Sequence, residues 1–375
     1  MESALFDELA TGEVLERAES WRYSRNAVRA LAQQAFVAAD ADAALTPELR
    51  AQFEWSQTNG QRLVFVNGAF ASAHSTSDAA GVSITHAPDN TCVIDIGVDL
   101  AQPLHIAYVA VPSAAPSRWR ASLALRVARG VRATVIEQHL AGSGADVLGV
   151  VDLRVDISTR GALDLVSLSH VVDTASLVRR LDAKMDAEAT LRTTHAIFGG
   201  RLQRLDFGVA LAGERARLES RGVFVLRGRE HSDVHLDLRH VARDAACDVL
   251  WRGVADQRSR GIFHGAITVE PGADGSDARL SSKNVLLSSS AEIDTQPVLE
   301  IHADEVQAAH GATVGQIDER ALFYLRSRGI PLETARRMLV AAFCAEALAD
   351  IGDADLRSRI EALAASRLPA QEVSP

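Results

Sequence analysis

The central part of this chain is a long series of short segments in which apolar and polar residues alternate, separated by glycine or charged turns. Between Cys92 and Ile301 these segments include 134–140, 148–157, 162–171, 205–211, 222–226, 234–238 and 262–269. Such alternation is typical of β-strands. Only segment 175–185 has helical character in this region, so a doubly wound α/β fold is excluded.

Three all-β architectures remain after this step: a sandwich, a barrel and a parallel β-helix. A single sandwich is usually about 100 residues long, whereas a solenoid extends by adding similar turns that contact only their neighbours. Small polar rows such as Ser281-Ser282 and Ser288-Ser289-Ser290 suit stacked turns. No strict short repeat is visible, so the pattern alone leaves the three architectures open.

Helical patterns flank the β region on both sides. Apolar residues recur at helical spacing in 5–15 and 27–39, and Thr46-Pro47 resembles a helix start. Near the other end, Asp318 is placed to cap a helix that Gly329 ends, and Pro331 precedes a second helix over 332–350. We therefore expect an N-terminal helical region (1–59), a β core (60–316) and a C-terminal helical region (317–375).

Composition excludes several classes of function. The formal charge is −10, from 39 basic and 49 acidic residues, which argues against nucleic-acid binding. No apolar run reaches the roughly 18 residues of a membrane span, and the acidic N-terminus lacks the features of a secretion signal, so we expect a cytoplasmic protein. The chain contains only two lysines, neither of which follows a glycine, so it has no nucleotide-binding P-loop.

The three cysteines, Cys92, Cys247 and Cys344, are far apart in sequence and none forms a C-x-x-C pair. A zinc ribbon or a self-contained iron–sulfur site is therefore not expected. The apolar surroundings of Cys247 and Cys344 indicate buried core thiols.

Two histidine-containing segments are candidate sites. On a strand, His231, Asp233, His235 and Asp237 share one face, where they would either bind zinc or iron or form a polar strand surface. His310 lies among small residues where the β pattern gives way to helices. Its spacing alone fits either a metal ligand or a hydrogen-bonded corner.

The segments PVLEIHADEVQAAHGATVGQID (297–318) and LFYLRSRGI (322–330) closely resemble the SufB/SufD family of iron–sulfur cluster assembly proteins. HGATVG and FYLRSRGI are most similar to SufD. Weaker similarity runs through Trp251-Arg252-Gly253-Val254 and Asn284-Val285-Leu286-Leu287-Ser288. The resemblance follows the whole chain in order and is most specific over 235–345.

This resemblance implies a right-handed parallel β-helix between helical regions, in a non-catalytic scaffold subunit. Such a subunit pairs with SufB at the end of the β-helix and binds the SufC ATPase through its C-terminal helices. It holds no permanent cofactor and shares a transient iron–sulfur cluster with its partner. The residues expected to face the ATPase are Phe323, Tyr324, Arg326, Arg328, Arg336 and Arg337.

The family's implicated histidine matches His310, and the sequence around it departs from the family pattern. The usual Asp-Asp-Val-Lys-Cys-Ser-His is Asp-Glu-Val-Gln-Ala-Ala-His here, so Ala308 occupies the cysteine position. His310 is then the expected iron or cluster ligand at the SufB interface. Asp304 and Glu305 are expected to support it as iron ligands or hydrogen-bond partners.

Two rival functions are retained. One is a secreted-type β-helix enzyme acting on acidic polysaccharide through Asp233, Asp237 or Asp244. The missing secretion signal and the low aromatic content of 5% count against it. The other is a homodimeric interaction protein without chemistry. Whether the isolated chain forms a homodimer in place of the SufB pair is also left open.

Overall fold

The structure, a computed structural model, describes residues 19–54, 61–76 and 81–368. The strands form a β-solenoid of about eight turns, with helices before and after it in the sequence. The expected mainly β solenoid between two helical regions is confirmed. None of the described helices is long and apolar enough to cross a membrane.

The strands of the described residues are β1 Val37–Ala38, β2 Arg62–Val66, β3 Ala69–Phe70, β4 Val82–His86, β5 Cys92–Ile96, β6 Leu104–Ala110, β7 Ser117–Val127, β8 Arg132–Ala141, β9 Val147–Ile157, β10 Ala162–Val171, β11 Ser176–Met185, β12 Thr190–Gly199, β13 Leu202–Leu211, β14 Arg217–Leu226, β15 His231–His240, β16 Ala246–Ala255, β17 Arg260–Val269, β18 Asp277–Leu286, β19 Glu292–Ile301 and β20 Gln307–Gly315. The α-helices are α1 Arg25–Ala32, α2 Pro47–Glu54, α3 Glu319–Ser327, α4 Leu332–Ala345 and α5 Ala354–Ser366, and short 3-10 turns span Glu19–Trp21 and Ser72–His74.

From β5 onward, successive solenoid strands alternate between two facing sheets. One sheet runs from β4 through β5 and the odd-numbered strands to β19, and the other runs from β3 through β2 and the even-numbered strands to β20. Neighbouring strands are parallel except in the antiparallel pairs β2–β3 and β4–β5. The final strand of each sheet, β19 or β20, therefore has one unpaired edge.

The length of a turn varies along the solenoid. Ser176 pairs with Leu202, 26 positions later, whereas Arg260 pairs with Glu292, 32 positions later. Turns of unequal length are accommodated in the loops while the strands keep their register. This variation explains why the sequence shows no fixed repeat.

The core fills the space between the two sheets and is built from inward-pointing strand residues. Helix α1 covers the outer face of the odd-numbered sheet, where Val28 and Leu31 pack against Val150 and Val178. Helix α2 covers the start of the even-numbered sheet. These helices bury strand residues on both faces, so the strands they cover appear apolar throughout rather than alternating.

The C-terminal helices are fixed to the outer face of the even-numbered sheet by apolar packing and three ion pairs. The apolar cluster includes Phe198, Val225, Val340, Cys344 and Ile360. The ion pairs join Arg221 Nε to Asp350 at 2.7 Å, Arg252 Nε to Glu346 at 2.8 Å, and Arg367 Nη2 to Glu230 at 2.5 Å. Helices α4 and α5 are therefore attached directly to the solenoid strands beneath them.

Several details of the predicted helices differ from the structure. The helical character of 175–185 was misleading, because Ser176–Met185 is strand β11, paired with β9 and β13 on either side. Its outward Val178 is buried under α1, which hides the alternation. The helix expected over 332–350 ends at Ala345, and the one expected over 27–39 spans Arg25–Ala32. The helix expected over 5–15 lies outside the described residues.

Candidate functional site

The open end of the solenoid is formed by β19 and β20. Almost all of β20 is exposed, because no other strand among the described residues pairs with its outer edge. Exposed backbone N–H and C=O groups on such an edge are a template for pairing with another chain. Apolar side chains also lie here, including Ile301 and Val314, each about two-fifths exposed. This end of the molecule therefore has the properties of an assembly surface.

His310 lies in the middle of this edge. Its Cα is in register with Leu280 of β18, whose side chain points into the core. The imidazole therefore occupies the row that would continue the core into a further turn. It is exposed because residues 19–54, 61–76 and 81–368 form no such turn beyond β20. Ala308 and Ala312 lie on either side in the same inward row. A partner that extends the solenoid would bring its own inward side chains next to His310.

The two acidic residues predicted to support His310 lie in the turn before β20. The backbone N–H of Asp304 donates to Asp274 Oδ1 at 3.2 Å, and Glu305 has a positive φ of 54°. At about 3.3 Å per residue, Glu305 lies roughly 16 Å along the chain from His310. The structure does not bring the three side chains together, and the described residues contain no group of three or more His, Cys, Asp or Glu side chains able to hold a metal ion.

The histidine cluster on β15 connects the N-terminal segment to the solenoid. Asp233 is 1% exposed, and its carboxylate accepts hydrogen bonds from Ser24 Oγ and from Arg204 Nη1, the latter at 2.9 Å. His235 Nε2 lies 2.9 Å from the other carboxylate oxygen. Burial would raise the pKa of Asp233, but His235 and Arg204 outweigh burial and lower it.

The zinc or iron alternative for this cluster is not supported, because the described residues contain no group of three or more His, Cys, Asp or Glu side chains able to hold a metal ion. His235 stacks on His264 with ring centroids 5.0 Å apart and an angle of 19° between the planes. A metal ion binds in the plane of an imidazole, so two nearly parallel stacked rings cannot share one. The alternative expectation, a polar strand surface facing solvent, is met only in part, because Asp233 on that face is buried. Through its contacts with Ser24 and Arg204, Asp233 holds the segment that carries Trp21 and α1 against the sheet.

The carboxylates proposed for a polysaccharide enzyme do not form an active site. Asp233 is buried and bound by the groups just described. Asp237 is exposed on the sheet surface, and Asp244 lies in a turn with a φ of 57°. No pair among the three meets across a cleft with one carboxyl buried and the other solvated, as acid–base catalysis needs.

The predicted ATPase-facing residues lie on α3, α4 and the turn between them. Phe323 is 73% and Tyr324 57% exposed, which is unusual for large apolar side chains. Arg328 lies over the Tyr324 ring at 5.2 Å and Arg336 pairs with Glu333 at 3.0 Å. Met338, one of the apolar positions of α4, is also exposed.

All three cysteines are buried, including Cys247 and Cys344 as expected. Burial raises the pKa of Cys247 to about 12, and His240 Nε2 lies 3.2 Å from its sulfur. Because the thiolate is the metal ligand, these neutral buried thiols are poor cluster ligands. At the open end, the described residues expose two imidazoles, that of His302 in the turn after β19 and that of His310 on β20.

A polar network that sequence patterns did not reveal lies inside the solenoid. Ser167 Oγ donates to Glu137 Oε2 at 2.8 Å. The side chain of Arg179 extends from the facing sheet, and its Nη1 lies 2.6 Å from the same hydroxyl. His139 Nε2 is 3.3 Å from Glu137. Burial opposes ionisation of Glu137, but its charged and hydrogen-bonding neighbours lower its pKa to about 2.

The fold and its open end together define a class: a two-sheet parallel β-solenoid whose last described strands leave an open edge. Comparison with known proteins identifies the family. The model of the SufBD core domain of the SUF system for FeS cluster assembly matches residues 114–343. The chain belongs to the SufBD family.

Individual relatives agree with this family. The iron–sulfur cluster assembly protein SufD of Escherichia coli is 30% identical over 245 residues, which cover 65% of this chain and 58% of that protein. A SufBD family protein of Mycobacterium tuberculosis is 30% identical over 241 residues, covering 62% and 59%. SufD of Bacillus subtilis is 34% identical over 135 residues, covering 36% and 31%. The chain thus matches about three-fifths or less of the length of these relatives.

Proposed function

We propose that this protein is a SufD-like, non-catalytic subunit of a scaffold that assembles iron–sulfur clusters in the cytoplasm. In this proposal the open end of its solenoid pairs with a SufB homologue, and its C-terminal helices bind a SufC ATPase. The observation that carries the proposal is the position of His310, exposed on the unpaired last strand of a SufBD-family solenoid. In the absence of a SufB homologue, the same edge would support a homodimer.

The chemistry of cluster ligation explains why the partner is needed. Protein-bound iron–sulfur clusters are held by several thiolate or imidazole ligands. His310 supplies one, and Ala308 next to it supplies none. The remaining ligands must come from the partner chain across the paired strands, with Asp304 and Glu305 available at the edge of the interface. A cluster shared in this way is incompletely enclosed, so it can be passed on as cargo.

The role of His310 can be tested directly. His310→Ala is expected to leave the complex with SufB and SufC homologues intact while lowering the iron–sulfur cluster formed in cells at least tenfold, because one ligand is lost. The measurement is the visible absorbance and iron content of the complex purified without oxygen. The matched control is His302→Ala, which removes an exposed imidazole in the turn after β19. Unchanged cluster content in His310→Ala would contradict the ligand role.

The attachment of the C-terminal helices suggests how ATP would act on this surface. If ATP-driven dimerisation of SufC subunits moves α3 and α4, the ion pairs of Arg221 and Arg252 pass the movement to the even-numbered sheet, which ends in β20. ATP binding can be coupled to the paired strands only if the ATP-bound and ATP-free states favour different arrangements of those strands.

This coupling predicts an ATP-dependent interface. A disulfide or chemical cross-link placed between β20 and the SufB homologue is expected to form several-fold more slowly, or several-fold faster, when ATP is bound. Cross-linking yield over time, with and without ATP, measures this. Equal rates in both states would rule out the coupling while leaving the scaffold role intact.

A further inference from the structure

Two buried side chains inside the solenoid have polar atoms that the protein itself does not satisfy. Arg179 is 4% exposed, and its Nη2 has no hydrogen-bond partner in residues 19–54, 61–76 and 81–368. His195 is completely buried, and neither of its ring nitrogens has a partner in the same ranges. Buried polar atoms in folded proteins are nearly always hydrogen-bonded, either to the protein or to ordered water. These three nitrogens therefore indicate a further binding partner.

The two side chains lie in the same part of the interior. Arg179 extends from β11, and its Nη1 lies 2.6 Å from Ser167 Oγ on β10. His195 on β12 is in register with Ser167, and paired strands lie about 4.8 Å apart. Burial lowers the pKa of His195 to about 3, and the nearby positive charge of Arg179 acts in the same direction. The imidazole is therefore neutral, with one nitrogen as a donor and the other as an acceptor.

The surroundings supply further polar atoms on short side chains. Thr193, two positions before His195 on β12, is 1% exposed, and its Oγ1 donates to Ser220 Oγ at 3.1 Å. In the same inward row the strands on either side carry Leu165 and Val249. The row therefore changes here from large apolar side chains to two short ones with hydroxyl groups. A buried water molecule needs space of this kind and two to four polar partners.

The charges nearby favour water over an anion. Ser167 Oγ connects Arg179 to Glu137, at 2.6 and 2.8 Å, so the positive charge of Arg179 already has a negative one close by. His139 lies 3.3 Å from Glu137, but burial lowers its pKa, so it adds no compensating positive charge. An additional anion would leave a net negative charge buried, which is costly in an apolar interior.

We propose that the solenoid encloses a binding site for ordered water between Arg179 and His195. One water molecule accepts a hydrogen bond from Arg179 Nη2 and donates one to the acceptor nitrogen of His195, and a second accepts from the donor nitrogen. The hydroxyls of Thr193 and Ser220 are available for their remaining hydrogen bonds. The site is independent of the proposed function, because β12 lies four strands away from β20 in the even-numbered sheet. It joins the two sheets through β11 and β12.

The test is a high-resolution crystal structure of the full chain, with a second crystal in which bromide replaces chloride. The expected result is an electron-density peak about 2.7–3.2 Å from both Arg179 Nη2 and a ring nitrogen of His195, without anomalous signal from bromide. A bromide signal at this place would identify an anion and overturn the proposal. The proposal also fails if no peak is present and the ring nitrogens are instead bonded directly to Arg179 or to the face of Phe207, whose ring centroid lies 5.3 Å away.

A crystal structure of His195→Phe shows whether the imidazole holds the water. Phenylalanine retains a ring of similar size without nitrogen atoms, so the peak beside the ring is expected to be lost. The matched control is His302→Gln, at the surface, in which the peak is expected to be unchanged. A peak that persists in His195→Phe would show that the water does not depend on His195, which contradicts the proposal. If His195→Phe does not fold, the two crystals of the unmodified chain decide the question.

Discussion

Glu230→Gln is expected to lower the free energy of unfolding by about 3–5 kcal/mol, because it leaves the charge of Arg367 buried without a counter-charge. Both side chains are at most 7% exposed, and Arg367 Nη2 contacts both carboxylate oxygens of Glu230 at 2.5 Å. Arg367 Nε also donates to the carbonyl of Val225 at 3.0 Å, so the guanidinium has no route to solvent without detaching. Urea unfolding followed by circular dichroism measures the loss.

Two further variants distinguish charge burial from general damage. Glu230→Gln combined with Arg367→Met removes both charges and is expected to recover most of the lost stability, because an apolar replacement of a buried pair is often neutral. Glu270→Gln breaks the pair with Arg239, whose side chain is 54% exposed, and is expected to cost less than about 1 kcal/mol. Equal losses from Glu230→Gln and Glu270→Gln would contradict the argument.

The place of this pair determines what its loss would do to function. Arg367 follows α5, and Glu230 lies in the turn before β15, so the pair holds the C-terminal helices against the solenoid. Hydrogen exchange in α4 and α5 should therefore rise before exchange in the central strands does. In the proposed function this would weaken the link between the ATPase and β20 without altering His310.

The sequence predicted those features that depend on local chemistry. Asp318 caps α3 through the backbone N–H groups of Arg320 and Ala321, and Gly329 has the positive φ of 83° expected after a helix. The strands were visible from alternation wherever one face is solvated. They were hidden where a helix covers the outer face, as at Val178 on β11.

Features that depend on register could not be predicted. Glu137 and Arg179 meet through Ser167 only because strands of different turns stack in a particular alignment. Turns of different length, 26 residues from Ser176 to Leu202 and 32 from Arg260 to Glu292, prevent that alignment from being derived by counting. A cavity lined by Ser289, Arg337 and Leu368 likewise arises from a loop and helices far apart in sequence. The position of His310 was known from the family resemblance, but its exposure at the core row followed only from the pairing of β20 with β18.

Acid is expected to unfold this protein near pH 5, because several of its histidines are neutral in buried or partly buried positions. Burial is the largest cause in each case, and it lowers the pKa to about 3 for His195 and to about 4 for His105, His170, His231 and His240. The ordinary histidine pKa of about 6.5 applies in the unfolded chain. Between these values the unfolded state binds more protons, so stability rises with pH and is lost as pH falls from about 6.5 towards 4.

The combined effect of these pKa shifts on the free energy of unfolding is large enough to unfold the protein. At pH 5 each of the five histidines takes up nearly one proton on unfolding, which corresponds to a slope of roughly 6 kcal/mol per pH unit. Between pH 7 and pH 5 the combined loss is roughly 9 kcal/mol, comparable with the whole stability of a typical domain. The low pKa of Glu137 in the folded protein causes a further loss of stability as the pH falls below about 4.5. Urea unfolding at half-unit intervals from pH 7 to pH 5 measures the slope.

His195→Phe tests whether the buried imidazoles are the cause. His195 stacks on Trp251 with ring centroids 5.9 Å apart, and phenylalanine retains a ring of similar size there without a titrating group. The variant should take up about one proton fewer on unfolding, which reduces the slope by roughly 1.4 kcal/mol per pH unit near pH 5. The matched control is His302→Gln, at the surface. A slope near zero in the unmodified protein would mean that the buried histidines reach solvent and protonate without unfolding, so the solenoid interior would have to be open to water.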